Sequence, residues 1–471
     1  MYGGIRLRRW VVLSALAFSV LALGEDAQKE KLDRMYQTAV SDYDAQRYLK
    51  AKAELEELLP YAPKSFELHE LLGMTLASLS ETGEAIEHLK LAVQSKPDSA
   101  EARINLGTIL FHAGQTAEAG QQFQAALKLA PGNFDANHNL GELLVREGRI
   151  ADALPLLERA RQIDPNAYDN GYDLALAEFE VNKLDEARQT IAALEQRADK
   201  AELHNLLAQI DERSGDFVGA AQQYETAAHM DPSEENLFDW GGEMLLHRTY
   251  EAAIAIYQEG VRRYPDSPRL SIGLGLALYS RGKYDDAVDA LLKAADLSPS
   301  DSRCYLFLSK AYNSSPLQAN AVLDRFRRYA ALKPNDALAQ YYYAVSLWKG
   351  NRAGDSGVDL TVVERLLKNA IALDPTLADA HLQLGTLYSS ERNYQQSIPE
   401  YERTLDLNPN LSDAHYRLGT DLVHVGEKER AQKEFEIYQR LRAEHLAEVE
   451  KERAEVRQFV IEAGGPGSTK P

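Results

Sequence analysis

Apolar positions along the chain fall into pairs of short helical stripes, and each pair is closed by a proline. The closing prolines are Pro63, Pro97, Pro131, Pro165, Pro232, Pro265, Pro299, Pro334, Pro375 and Pro409, spaced by 34, 34, 34, 67, 33, 34, 35, 41 and 34 residues. The 67 is two periods, with Asp199 where the intermediate proline belongs. Places are numbered from the third residue after each proline. Leu-Gly pairs then fall at places 7 and 8 (Leu106-Gly107, Leu140-Gly141, Leu274-Gly275, Leu384-Gly385, Leu418-Gly419). Small residues recur at place 20 (Ala85, Ala119, Ala153, Ala187) and at place 27 (Ala92, Ala126, Ala160). Place 24 is large and apolar (Leu89, Phe123, Leu157, Tyr224, Tyr257). Places 4, 7, 8 and 11, and again 20, 24 and 27, follow helical spacing, so each period predicts two helices with one apolar stripe apiece. Gly83, Gly114, Gly148, Gly215, Gly282 and Gly426 mark the predicted turns between them, where a helix end favours a left-handed residue. The polar residues after the prolines, as in Pro97-Asp98-Ser99 and Pro334-Asn335-Asp336, are placed to cap the next helix. One hairpin cannot bury its own stripe, so neighbours must stack on it.

Repeated helical hairpins of this period resemble the tetratricopeptide repeat (TPR) family. The resemblance covers twelve units, starting near Leu32, Phe66, Ala100, Phe134, Tyr168, Ala201, Glu234, Pro268, Ser302, Ala337, Ala378 and Ser412. It implies an all-α, right-handed superhelical solenoid over 32–445, with a charged C-terminal capping helix and flexible tail over 446–471. Three units are atypical. The one over 168–200 has Ala175 at place 8 and lacks its proline. The one over 302–336 has Ser309 at place 8 and Ser314-Ser315-Pro316 at its turn. The one over 337–377 carries seven extra residues around Gly350–Gly357. A chain of 471 residues would ordinarily suggest about three compact domains; the period replaces that expectation with a single elongated array.

The first 24 residues break the pattern. Arg6, Arg8 and Arg9 precede an apolar run from Trp10 to Leu23, and Ala22-Leu23-Gly24 places small residues for cleavage before Glu25. This is the order of a secretory signal peptide, and residues 25–31 form a short segment after it. The run is short of the roughly 20 residues a membrane span needs, although an uncleaved anchor is the competing reading. The expected location is periplasmic or secreted, without membrane insertion after cleavage. With 52 Lys and Arg against 72 Asp and Glu, the net charge of −20 argues against nucleic-acid or anionic-membrane partners. The one cysteine, Cys304, forbids an intramolecular disulfide and reads as a small buried hydrophobe.

The array leaves no room for a separate catalytic domain. Motifs of metalloprotease, hydrolase-elbow and phosphate-loop type are missing from the sequence. His204, His381 and His415 share place 4 and read as core residues, so no enzyme activity, cofactor or metal is expected. The resemblance puts a partner-binding groove on the first helices, at places 2, 5, 9 and 12. From the unit at Phe66 through that at Glu234 those places hold no Lys or Arg. Most of their carboxylates are at place 2, where they also complement the helix dipole; Glu70, Glu142 and Glu212 do not have that explanation. Asn105 and Asn139 at place 6 resemble the asparagine ladder of O-GlcNAc transferase repeats, which holds peptide backbones, although Asp173 and Leu206 break the series. Tyr279, Tyr341 and Trp348 are candidate aromatic anchors on the same face. The partners expected are other proteins or peptide segments. The leading expectation is an exported, non-catalytic TPR scaffold, and the alternative is an assembly accessory of a cell-envelope, secretion or pilus complex.

Overall fold

The place-8 glycines explain how closely the helices pair. In the computed structural model, a Cβ added at Gly73, Gly107, Gly141, Gly241 or Gly275 would lie 2.5–2.8 Å from the place-24 side chain of the same unit (Leu89, Phe123, Leu157, Tyr257 and Leu291, respectively). Only a hydrogen fits there, so the two helices of a hairpin meet over a large residue set against a bare backbone. The unit at Tyr168 solves the same problem in reverse. Its place 27 is Leu194 instead of alanine, and the small residue has moved to Gly171, whose Cβ would sit 2.6 Å from Leu194 Cδ2.

The structure describes residues 25–314, 318–352 and 359–463, and all regular structure among them is helical. The signal-like segment, the 315–317 turn, residues 353–358 of the insertion and the 464–471 tail lie outside the described residues. The chain divides into two compact units, Met1–Asp231 and Pro232–Pro471. The first holds the hairpins α1 (Glu25–Asp44)/α2 (Tyr48–Leu58), α3 (Phe66–Ser78)/α4 (Thr82–Ser95), α5 (Ala100–His112)/α6 (Thr116–Leu129), α7 (Phe134–Arg146)/α8 (Ile150–Ile163), α9 (Tyr168–Glu180)/α10 (Leu184–Glu195) and α11 (Ala201–Ser214)/α12 (Phe217–Met230). The second holds α13 (Glu234–Leu246)/α14 (Tyr250–Arg263), α15 (Pro268–Arg281)/α16 (Tyr284–Leu297), α17 (Ser302–Ser314)/α18 (Ala319–Leu332), α19 (Ala337–Arg352)/α20 (Leu360–Leu373), α21 (Ala378–Ser390)/α22 (Tyr394–Leu407) and α23 (Ser412–His424)/α24 (Lys428–Ala463). Within each unit a hairpin packs on the next, and in the first unit one buried core runs from Leu32 to Ala177.

Each described turn inside a hairpin contains one left-handed residue. Five are glycines (Gly114, Gly148, Gly215, Gly282 and Gly426), whereas Gln46, Ser80, Asn182, Arg248, Gln318 and Arg392 adopt φ of 59–63° without being glycine. Gly83 departs from the expectation: it lies inside α4, and Ser80 makes the turn instead. The caps form as the sequence indicates, with Ser99 Oγ accepting from Ala102 N at 3.1 Å and Asp336 Oδ1 from Ala339 N at 3.1 Å.

A second device fixes the turn between hairpins. Place-4 side chains reach back six residues to the carbonyl of the closing proline. Arg103 Nη2 donates to Pro97 at 2.8 Å, Asn137 Nδ2 to Pro131 at 3.1 Å, Tyr305 Oη to Pro299 at 3.0 Å and Gln340 Nε2 to Pro334 at 3.3 Å. The Nε2 atoms of His69, His381 and His415 make the same bond to Pro63, Pro375 and Pro409. These bonds satisfy carbonyls in the connection just beyond the second helix.

Candidate functional site

The first helices of successive hairpins, α3, α5, α7, α9 and α11, pack side by side in the first unit. They form the layer on which the groove places fall. Glu67, Glu101, Asp135, Asp169 and Glu202, one per hairpin at place 2, are all half-buried there.

Place 6 joins α5 to α3 and α7 to α5. Asn105 Nδ2 donates to Glu70 Oε1 at 3.3 Å and touches Met74 Sδ at 3.6 Å. Asn139 Nδ2 donates to Thr108 Oγ1 at 3.2 Å. Both asparagines are buried, so these amides bond helix to helix within the stack. Glu70 is half-buried, and burial together with the nearby Glu101 pushes its carboxyl up to about 7, although the Asn105 bond works against this. Glu142 is buried, is paired with Arg146 at 2.6 Å and is raised chiefly by desolvation. Glu212 is half-buried and accepts from Tyr224 Oη of the partner helix in its own hairpin at 3.0 Å.

The aromatic positions divide. Tyr279 is half-buried, its ring 5.5 Å from that of Tyr284. Tyr341 is half-buried against Tyr342 at 5.6 Å. Trp348 departs from the expected exposed anchor. It is only 6% exposed and belongs to a cluster with Val363, Leu367, Leu384 and Tyr388, because α20 and α21 close over the end of α19. Tyr342 is buried in the core of the second unit.

The histidines at place 4 are satisfied on both sides. Beyond the proline bonds, His381 Nδ1 meets Glu400 at 2.6 Å and His415 Nδ1 meets Glu434 at 2.5 Å, while His204 lies between Gln223 (Nδ1, 2.7 Å) and Asp199 (Nε2, 2.8 Å). Cys304 is buried, its thiol donates to the Asp301 carbonyl at 3.0 Å, and burial pushes its pKa up to about 12. A thiol held that far above neutrality is unreactive.

One grouping was not visible from place-by-place reading. His138 and Glu142, four apart on α7, and Asp173 on α9 each bring a potential ligand atom within 4.8 Å of the others. His138 Nδ1 is 3.7 Å from Asp173 Oδ2. Desolvation first, then the neighbouring carboxylates Glu142 and Asp169, push the Asp173 carboxyl up to about 8. The signal for it was in the sequence: Asp173 replaces, one period later, the asparagine at place 6, opposite a His-x-x-x-Glu pair. A second grouping, Glu195, Asp199 and His204, is more exposed.

Family models described as tetratricopeptide repeat match residues 36–100, 84–134, 104–168, 144–210 and 247–302. A further model, described as bacterial transcriptional activator domain, matches 323–458. The chain is similar to the TPR repeat-containing protein YpiA of Bacillus subtilis, 28% identical over 149 residues that cover 32% of this chain and 33% of that protein. It is also similar to the human protein O-mannosyl-transferase TMTC1, 25% identical over 193 residues, 41% of this chain and 21% of that one. The chain thus spans about a third and a fifth of these two relatives. Among solved structures it is similar to Pseudomonas aeruginosa pilF, with 20% identity and a TM-score of 0.40, covering 45% of this chain and 96% of that one.

Proposed function

We propose that this chain, a member of the tetratricopeptide-repeat family, is an exported, non-catalytic scaffold that holds a basic segment of another protein along the first helices of residues 66–214. The observation that carries this reading is the crowding of carboxylates on that layer. Each hairpin contributes one at place 2, and Glu101 helps to raise Glu70 across the gap between α5 and α3. Carboxylates that raise one another form a surface whose negative potential a cationic partner relieves. Helices already ordered by stacking add little ordering cost to binding.

Binding is tested with the chain starting at Glu25 and two labelled peptides of equal length, one rich in Lys and Arg, the other in Glu. The basic peptide should bind, weaken with salt and weaken about tenfold on combining Glu67→Gln, Glu101→Gln and Asp135→Asn, a loss of roughly 1.4 kcal/mol. Equal binding of both peptides would sink the proposal. Export is tested separately, by N-terminal sequencing of the protein from the exported fraction, where Glu25 is the expected first residue.

The match of 323–458 to a bacterial transcriptional activator domain favours a second reading, in which the second unit serves transcription. Cell fractionation separates the two: recovery with the nucleoid supports the second reading, and recovery outside the cytoplasm supports the first.

A further inference from the structure

We propose that His138, Glu142 and Asp173 bind a divalent first-row transition-metal ion, clamping α7 to α9. The inference stands apart from partner binding and rests on three observations.

The first is register. His138 and Glu142 are four residues apart on one helix and so share a face. Asp173 comes from the next first helix, at the place where Asn105 and Asn139 already reach back to the helix before. The second is geometry. Ligand atoms of the three residues lie within 4.8 Å of one another. Nitrogen and oxygen ligands about 2.1 Å from a shared ion stand roughly 3.4 Å apart in a tetrahedron, so side-chain adjustments of about an ångström close the site. The Phe134 ring stacks on the His138 imidazole at 5.6 Å and limits its rotation. The third is charge. His138 and Glu142 are buried, and the charges acting on Asp173 are Glu142 and Asp169 against Arg146. A dication would turn that carboxylate repulsion into coordination.

The donor set selects the class of ion. One imidazole with two carboxylates suits zinc, cobalt, manganese or iron, whereas calcium and magnesium prefer oxygen alone. Arg146 holds Glu142 at Oε1, which fixes the carboxylate's orientation as outer partners of metal ligands commonly do. Three protein ligands leave a fourth position for water.

The test uses the full chain, stripped of metal with a chelator and titrated with zinc by calorimetry and with cobalt by visible absorption. One saturable site is expected, together with a rise in melting temperature on adding zinc. Asp173→Asn and His138→Gln should each weaken zinc at least tenfold and abolish the rise, while Glu195→Gln, in the more exposed group, should leave both unchanged. Circular dichroism identifies the variants that fold, and either of the two ligand variants suffices. Failure of zinc and cobalt to saturate a site, or zinc affinity and melting-temperature rise left unchanged in a folded Asp173→Asn or His138→Gln chain, overturns the proposal.

Discussion

Glu70 shows what one side chain contributes when burial and a neighbour act together. Its carboxyl titrates at about 7 in the folded chain against an ordinary value of 4.5. Between those values the unfolded chain has already lost the proton that the folded chain keeps, so stability falls as pH rises from 4.5 to 7. Below that window both states are protonated, and above it both are ionised, so the penalty is fully present at pH 8 and absent at pH 4. At 1.36 kcal/mol per unit the upper bound is about 3 kcal/mol. Glu70→Gln keeps an acceptor for Asn105 and removes the ionisation. Urea unfolding should show it about 1–3 kcal/mol more stable than the parent at pH 8 and equal to it at pH 4. The acidity of this layer was legible in the sequence because the carboxylate at place 2 repeats in every unit from Glu67 to Glu202. The burial of Trp348 was not, because it depends on α20 and α21 closing over α19 after an insertion that interrupts the period. The trio around Asp173 was hidden for a related reason: His138 and Asp173 are 35 residues apart in sequence, and only the stacking register brings them together.

At the scale of the element, the small residue at place 8 and the large one at place 24 were readable in the sequence, and the structure supplies their pairing. Gly107→Ala would put a Cβ 2.6 Å from the Phe123 ring. Overpacking of that kind should cost about 1–3 kcal/mol, measured as a fall in the urea midpoint. The turns were less legible. Gly83 looked like a turn glycine, yet the left-handed position falls three residues earlier, at Ser80. A loop position can borrow a left-handed conformation from almost any residue when the two helices around it are held by their stripes. That borrowing has an energetic cost. Arg248 sits exposed at φ 60°, and Arg248→Gly should stabilise the chain by about 0.5–1 kcal/mol, seen as a higher midpoint at unchanged slope.

Across the whole molecule, hairpins that touch only their neighbours make stability a local property. Both tryptophans among the described residues, Trp240 and Trp348, lie in the second unit, so the fluorescence of a chain starting at Glu25 reports that unit alone. Circular dichroism reports helices in both. Gly107→Ala, in the first unit, should therefore lower the midpoint seen by circular dichroism and leave the fluorescence midpoint nearly unmoved. Equal shifts in both signals would show that the chain unfolds as one cooperative body. The all-α, hairpin-by-hairpin character of the fold was readable from the period of 34, because each repeat supplies the same packing instruction. The division after Asp231 was not, since the repeat period runs on through it, with Pro232 and Pro265 33 residues apart.

The bond from place 4 to the proline carbonyl can be stated as information. Histidine, arginine, asparagine, tyrosine and glutamine all make it, across both units. A column-by-column comparison of the repeats finds histidine at place 4 only in His69, His204, His381 and His415 and would score the position as largely free to vary. What repeats is a donor at a fixed reach, a property that five unrelated alphabet symbols share. Exchanges among these residues should therefore be nearly silent, while a leucine, comparable in size to histidine, should leave a carbonyl without its donor. The grammar of this chain is written partly in hydrogen-bond reach, and sequence identity alone does not spell it.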